Sequence, residues 1–460
     1  MQMSGPGSPS SSPPGVPSAV RLPLWPRLGI EFTFLSAVLA LVGSAFLLAV
    51  RLADRIFPLH DVLSVGRAMV LLVLVIVALV FQVLYPTALV ASLIVGRLCR
   101  KRTLSSTQRR RLLMSRIAGA GGLAAVILIV AFALLTSGCA EPPRLETPFP
   151  IGVVYSSEYN IRLLGFETFY PFDIHKYEKI HDRLIRDGLM RKDDFLVPAD
   201  VCDDDLLLVH SLEYLTRSRT AGEIARCLEC PAIGLLGPLA RPLVLTAFEK
   251  ATAGTILAAR TAIEKGIAFN LAGGYAHASG DEGGGFNILA DVPVAIRVLQ
   301  REGLIRRALV VDCDVHQGQG TAHEFADDAD VVTFDMYNKY IYPSRKVPAN
   351  VDIPLNPGTS GTRYLALLRE HLPRAIEMAR PDLIVYVAGT DVYEDDPLGG
   401  LGLSADDVLE RDMFVIDSAR SRGIPVAVVL SGGYSAKSWR LHYSTVRETI
   451  GRYAGRPTLP

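Results

Sequence analysis

The stretch that most constrains the fold is Ala308-Leu-Val-Val-Asp-Cys-Asp-Val-His316, continued by Gln317-Gly-Gln-Gly320. A short apolar run of this kind, Ala308 to Val311, predicts a strand covered on both faces. Asp312, Asp314 and His316 then follow at a spacing of two. In extended chain, residues two apart point the same way. Two carboxylates and an imidazole therefore share one direction where the strand runs into a glycine-rich turn. Ligands in open α/β sheets bind outside the carboxyl ends of the strands, and mixed N and O donors suit zinc. Polar residues that merely cap a buried strand would leave the same pattern.

A second segment narrows the choice. Asp382-Leu-Ile-Val-Tyr-Val-Ala-Gly-Thr-Asp391 repeats the design, with an apolar run, small residues and one acid. The turn-rich Asp396-Pro-Leu-Gly-Gly400 that follows could wall a pocket. Asp314, His316 and Asp391 together predict a three-ligand metal site with a position left open for water, the catalytic rather than the closed structural type.

The rest of the region alternates apolar runs with helical patterns. Strands are expected at 151–155, 206–210, 267–271, 308–311, 331–334, 383–387 and 425–430. Helices are expected at 174–187, 246–265, 293–302, 363–379 and 405–422. The alternation predicts an α/β fold with a mostly parallel sheet covered by helices on both faces. About 310 residues are enough for one sizeable core.

Blocks along this region resemble a known family. They are Val154-Tyr-Ser-Ser-Glu-Tyr-Asn160, Pro171-Phe-Asp173, Val209-His-Ser211, Gly283-Gly-Gly-Phe-Asn287, Asp312-Cys-Asp-Val-His-Gln-Gly318, Met336-Tyr-Asn338, Ile341-Tyr-Pro343, Ala388-Gly-Thr-Asp391 and Ser431-Gly-Gly-Tyr434. In this order they resemble a class IV histone deacetylase of the arginase/deacetylase superfamily. The resemblance implies an arginase/deacetylase-like fold. It also implies zinc, with iron as the alternative, and hydrolysis of an acyl amide on lysine or a lysine-like amine. An acylated lysine peptide or an acetylated polyamine would be the substrate.

It further implies roles for particular side chains. His277 matches the second of two adjacent histidines, the base toward the attacking water, with Asp312 among the catalytic group. The first histidine is absent, because Ala276 stands there. Its loss removes a hydrogen-bond partner for the water and leaves Asp312 without the imidazole it orients. Two outcomes stay open, an enzyme of reduced activity and an acyl-lysine-binding protein with little turnover. Gln319 stands where many members carry an acid, and a neutral partner leaves the imidazole pKa lower than a carboxylate would. Tyr434 would donate to the developing oxyanion. Phe286, beside Gly285, would wall an acyl channel, and Gly433 would shape the substrate site. A two-manganese site of the arginase type needs further acids two residues beyond His316 and Asp391. The chain has Gly318 and Tyr393 there, which disfavours ureohydrolase chemistry. Whether His175 and Lys176 face the pocket is not decided by the sequence.

The first third of the chain explains a mean hydropathy of +0.29. Residues 1–27 are expected to form a disordered leader of Ser, Pro and Gly. Phe32–Val50 is an uncharged run, Ala68–Leu98 is charged only at Arg97, and Ile117–Ala140 is uncharged again. Each reaches the roughly 20 residues that a spanning helix needs, so residues 28–139 read as a membrane region of about three transmembrane helices. The second run would be one helix kinked near Pro86 or a tight pair. Arg97, Arg100, Lys101, Arg102, Arg109, Arg110, Arg111 and Arg116 crowd the next loop with no acid among them. The positive-inside rule makes that loop cytoplasmic and the domain after it extracytoplasmic. Thr136-Ser-Gly-Cys139 resembles a lipobox, which makes Cys139 a lipidation candidate. Residues 140–150, with four prolines, read as a linker to a catalytic domain at 151–460. With 47 basic and 47 acidic side chains, no nucleic-acid affinity is expected. Six scattered cysteines make no disulfide framework, and Cys227-Leu-Glu-Cys230 alone has too few ligands for structural zinc.

Overall fold

The structure is a computed structural model, and it describes residues 142–163, 167 and 171–455. The expected leader, the three apolar runs, the basic loop and Cys139 lie outside those residues. Among the described residues, no single helix is long and apolar enough to cross a membrane.

Seven strands form one parallel sheet, β1 (Gly152–Val154), β2 (Ile267–Asn270), β3 (Ala308–Asp312), β4 (Val331–Asn338), β5 (Val351–Leu355), β6 (Leu383–Val387) and β7 (Val426–Val429). Their spatial order is β1-β2-β7-β6-β3-β4-β5. Side chains alternate between two apolar layers. Leu309, Val311, Phe334, Ile384, Tyr386 and Val428 enter one core. Val310, Val331, Val385, Val387 and Val429 enter the other. Burial on both faces is why these strands read as continuous apolar runs, and each such side chain contributes about 1.5–3 kcal/mol.

Helices α1 (Lys176–Arg186), α7 (Gly361–Ala379), α8 (Ala405–Arg420) and α9 (Ser438–Tyr453) cover the first layer. Helices α3 (Ala221–Cys227), α4 (Thr246–Lys265) and α5 (Asp291–Arg301) cover the second, with α2 (Leu212–Ser218) and α6 (Gln319–Glu324) in the loops. Local chemistry sets the boundaries. Ser404 and Asp407 form a reciprocal capping box at the start of α8. Gly266, in the left-handed conformation, ends α4.

Three expectations need correction. Residues 206–210 are not a strand: Asp203–Leu206 is a single helical turn running into bends. Three acids in the first turn favour a helix start, and β1 pairs directly with β2, leaving no berth between them. The second half of the presumed linker belongs to the domain, since Arg144 bridges to Val197 and Phe149 is buried. Strand β5 was not expected, because Pro354 interrupts its pattern. It is an edge strand, where a missing N–H is tolerated.

Candidate metal centre

Four neighbouring strands, β2, β7, β6 and β3, deliver the site from their carboxyl ends. The period-two reading of β3 persists past its last hydrogen-bonded residue. Cys313 and Val315 turn into the first core layer, so Asp312, Asp314 and His316 face the other way. Asp391 arrives two residues beyond Gly389 at the end of β6. One donor atom each from Asp314, His316 and Asp391 lies within 4.8 Å of the others.

The carboxylates are held from several sides. Asp314 Oδ1 accepts the His316 backbone N–H at 2.9 Å, and its Oδ2 accepts the Gly432 N–H at 2.9 Å and the Ser431 hydroxyl at 2.8 Å. Asp391 Oδ1 accepts the Val315 N–H at 2.8 Å. His316 Nδ1 stands 3.3 Å from Asp314 Oδ1 and 3.3 Å from Asp391 Oδ2. Position 432 must be glycine, because a Cβ would meet Asp391 Oδ2 and come within 2.5 Å of Asp314 Oδ2. Burial opposes charge on His316, but the two carboxylates outweigh it and lift its pKa to about 10. Burial, and then the charge of Asp314, raises Asp391 to about 7. Two buried acids and one imidazole that compensate one another in this way form a donor set suited to a divalent cation. The fit is good.

His277 lies beyond β2, on the turn that follows Gly273 and Gly274. Its Nδ1 is 2.7 Å from Gln319 Oε1, while Gln319 Nε2 donates to the His277 carbonyl at 3.3 Å. With the amide so oriented, Nδ1 carries the proton and Nε2 keeps its lone pair. Lost hydration in the cleft, and then neighbouring His316, push the His277 pKa down to about 4. Aromatic rings line the approach. Tyr342 packs edge-on against His277 at 4.8 Å, and Tyr434 lies 5.9 Å from His316, 5.9 Å from Phe172 and 6.1 Å from Phe286. Phe286 adopts a left-handed φ of 69°. Such a conformation in a bulky residue costs about 1–3 kcal/mol. The preceding Gly285 has no room for a side chain, since a Cβ would fall 2.7 Å from His277 Cδ2. Gly433 has no room for a side chain either. Its free face points at Thr390 and Ser438 in the interior, so it shapes the turn that carries Tyr434.

Asp312 differs from its neighbours. Its Oδ1 accepts the Asp314 N–H at 3.0 Å, but Oδ2 is buried with no hydrogen-bond partner. Burial, and then the charge of Asp335, raise its pKa well above the carboxylate range. A Cβ placed on Gly318 would lie 2.5 Å from that Oδ2 and 3.1 Å from Ala276 Cβ. The unpaired oxygen and the alanine methyl therefore flank one spot.

Other groups were undecided or unnoticed in the sequence. Lys176 is fully buried beneath the Ser431–Tyr434 turn, donating to the Ser431 carbonyl at 2.5 Å and the Gly432 carbonyl at 3.2 Å, 4.3 Å from the Phe172 ring. Burial lowers its pKa to about 8, against the pull of nearby acids. His175 stays beside Glu167 at 3.4 Å. Asp396 accepts the N–H groups of Tyr434 and Ser435 at 2.7 and 2.9 Å, fixing the turn from the opposite loop. Cys227 and Cys230 are both free thiols.

Comparison with known proteins agrees with this geometry. The family profile described as "Histone deacetylase domain" matches residues 170–450. Histone deacetylase 2 of Arabidopsis thaliana is 36% identical over 316 residues, 67% of this chain and 81% of that protein. A histone deacetylase-like amidohydrolase of Pseudomonas aeruginosa is 31% identical over 252 residues, 51% of this chain and 64% of that protein. Among solved structures, the HDA15 HD domain superposes with a TM-score of 0.54 at 18% identity, covering 66% of this chain and 91% of that one, a likeness of fold.

Proposed function

The chain belongs to the histone deacetylase family, and from that premise we propose that it hydrolyses an acetyl or similar acyl amide on lysine or a lysine-like amine. The reading rests on one observation: a buried Asp-His-Asp donor set with a histidine beside it whose Nε2 is kept unprotonated. Asp314, His316 and Asp391 would hold the metal, zinc or, in its place, iron. When bound, the ion supplies Lewis acidity toward the acyl oxygen and the attacking water.

The side chains would do the rest. His277 Nε2 takes a proton from the water as its oxygen bonds to the acyl carbon. Gln319 keeps the imidazole in that tautomer. The C–N bond then breaks, and His277 returns the proton to the departing amine, so each turnover leaves the base as it began. Tyr434 donates its phenolic O–H to the oxyanion, a contribution of about 3–4 kcal/mol if it acts like other oxyanion donors. Phe286, Tyr342 and Phe172 would exclude water around the alkyl chain. An acylated lysine peptide is the substrate we favour, with an acetylated polyamine as the alternative.

A second reading has its own observation, the unpaired Asp312 Oδ2 that flanks one spot with the Ala276 methyl. On it, the domain binds acyl-lysine and turns it over slowly or not at all. We also propose that the apolar runs in residues 28–139 anchor the chain in a membrane with the domain outside the cytoplasm. The test is turnover of acyl-lysine peptides and acetylpolyamines by the unit from residue 135 onward, with and without added zinc. Zinc-dependent release of acetate supports the proposal. Stoichiometric zinc with no release from either substrate class favours the binding reading.

A further inference from the structure

We propose that Arg411 is a positioning residue for this centre, a buried guanidinium that fixes the separation of the strand ends carrying Asp314 and Asp391. The proposal rests on the ligand assignment above. The last rung between β3 and β6 is the Cys313 N–H donating to the Val387 carbonyl at 3.0 Å. Past it the strands have no further pairing, yet both must still deliver a ligand. The carbonyls that follow turn to Arg411 instead. Its Nη1 donates to the Cys313 carbonyl at 2.9 Å and to the Gly389 carbonyl at 2.7 Å, and Nη2 reaches the Ala388 carbonyl at 3.4 Å. Each of these peptides lies within three residues of Asp314 or Asp391. One rigid fork from α8 thus replaces the missing rung.

The fork is itself immobilised. Arg411 is 0% exposed, the largest fully buried side chain described. Asp412 Oδ1 accepts Arg411 Nε at 2.9 Å and the Tyr386 hydroxyl at 2.5 Å, while Oδ2 accepts the Thr445 hydroxyl at 2.5 Å. A buried ion pair is a weak device for stability alone, because apolar residues of similar volume often serve as well. What apolar residues cannot do is hold carbonyls from two strands at a fixed spacing. Lysine, a point charge without the planar fork, would do so poorly.

The experiment uses the full-length chain and compares Arg411→Lys with Tyr386→Phe, which removes a bond to Asp412 from β6 but leaves untouched the three carbonyls that Arg411 holds. Zinc affinity is measured by competition with a chromophoric chelator, and the melting temperature is measured metal-free. Groups that orient metal ligands typically change affinity about 10–100-fold, so Arg411→Lys should weaken zinc by at least about tenfold, and Tyr386→Phe should shift only the melting temperature. Wild-type zinc affinity in a destabilised Arg411→Lys chain, or equal zinc loss in both variants, overturns the proposal. Absence of stoichiometric zinc in the wild type refutes the ligand assignment instead. If Arg411→Lys fails to fold, Asp412→Asn, which keeps the fork but loosens it, carries the same expectation and the same refutation.

Discussion

Replacing Ala276 by histidine should improve both the chemistry and the polar bookkeeping of the site. Asp312 Oδ2 is buried and unpaired, and a buried polar atom without a partner costs about 1–3 kcal/mol. An imidazole on residue 276 starts beside that oxygen, because both flank the spot that a Cβ on Gly318 would occupy. The new hydrogen bond should recover much of the cost. Fitting the ring into an occupied interior costs about 1–3 kcal/mol of its own. The two nearly cancel, so the melting temperature should move by only a few degrees. The gain should show in kcat. General acid–base groups contribute about 100–10,000-fold, and a second contact to the water, supporting His277, should return only the lower end of that range, about a hundredfold. The assay is acyl-lysine peptide hydrolysis beside bound zinc and melting temperature, with His277→Ala as the control that removes nearly all activity. If Ala276→His binds zinc and melts normally but its kcat is unchanged or lower, the site is not an enzyme weakened by one lost group.

The His277 pKa of about 4, set by lost hydration and by His316, leaves the active neutral base present at pH 7 and lost only as pH falls through that value. Gln319→Glu places a carboxylate beside Nδ1 and should move the acid limb of kcat/KM upward by about one to three pH units; an unmoved limb would show that His277 is not the titrating base. Asp391→Ala should abolish stoichiometric metal in elemental analysis, and one ion per chain in that variant would mean the ligand set is wrong. A reporter fused at residue 141 should be active only in an exported form, since eight basic residues precede the third apolar run; cytoplasmic reporter activity would mean that the second run crosses twice.

Much of the centre could be read from local sequence because its geometry is local. Period-two spacing put Asp312, Asp314 and His316 on one side of β3, and the apolar run before Asp391 defined β6 at 383–387. Strands buried on both faces announce themselves, and ligands at their carboxyl ends need only a few residues of context. The same logic failed at residues 206–210, where an apolar run of similar appearance follows three acids that start a helical turn and then continues as turns. It failed again at β5, whose proline is tolerable only because no strand lies beyond it. Features made by distant segments were invisible. Lys176 meets Ser431 across 255 positions and Arg411 meets Cys313 across 98. Each reads in sequence as an ordinary charged residue of an amphipathic helix, where a solvated face is the usual reason for a charge. Ala276 could be seen as a missing histidine, but not what its absence does. The unpaired oxygen of Asp312 sits where β4 sets Asp335 in register with it and where Gly318, tied to the Asp335 carboxylate, lies against it. The sequence fixes which side chains leave a strand end together; whether a buried polar atom finds a partner is decided only when separate elements pack.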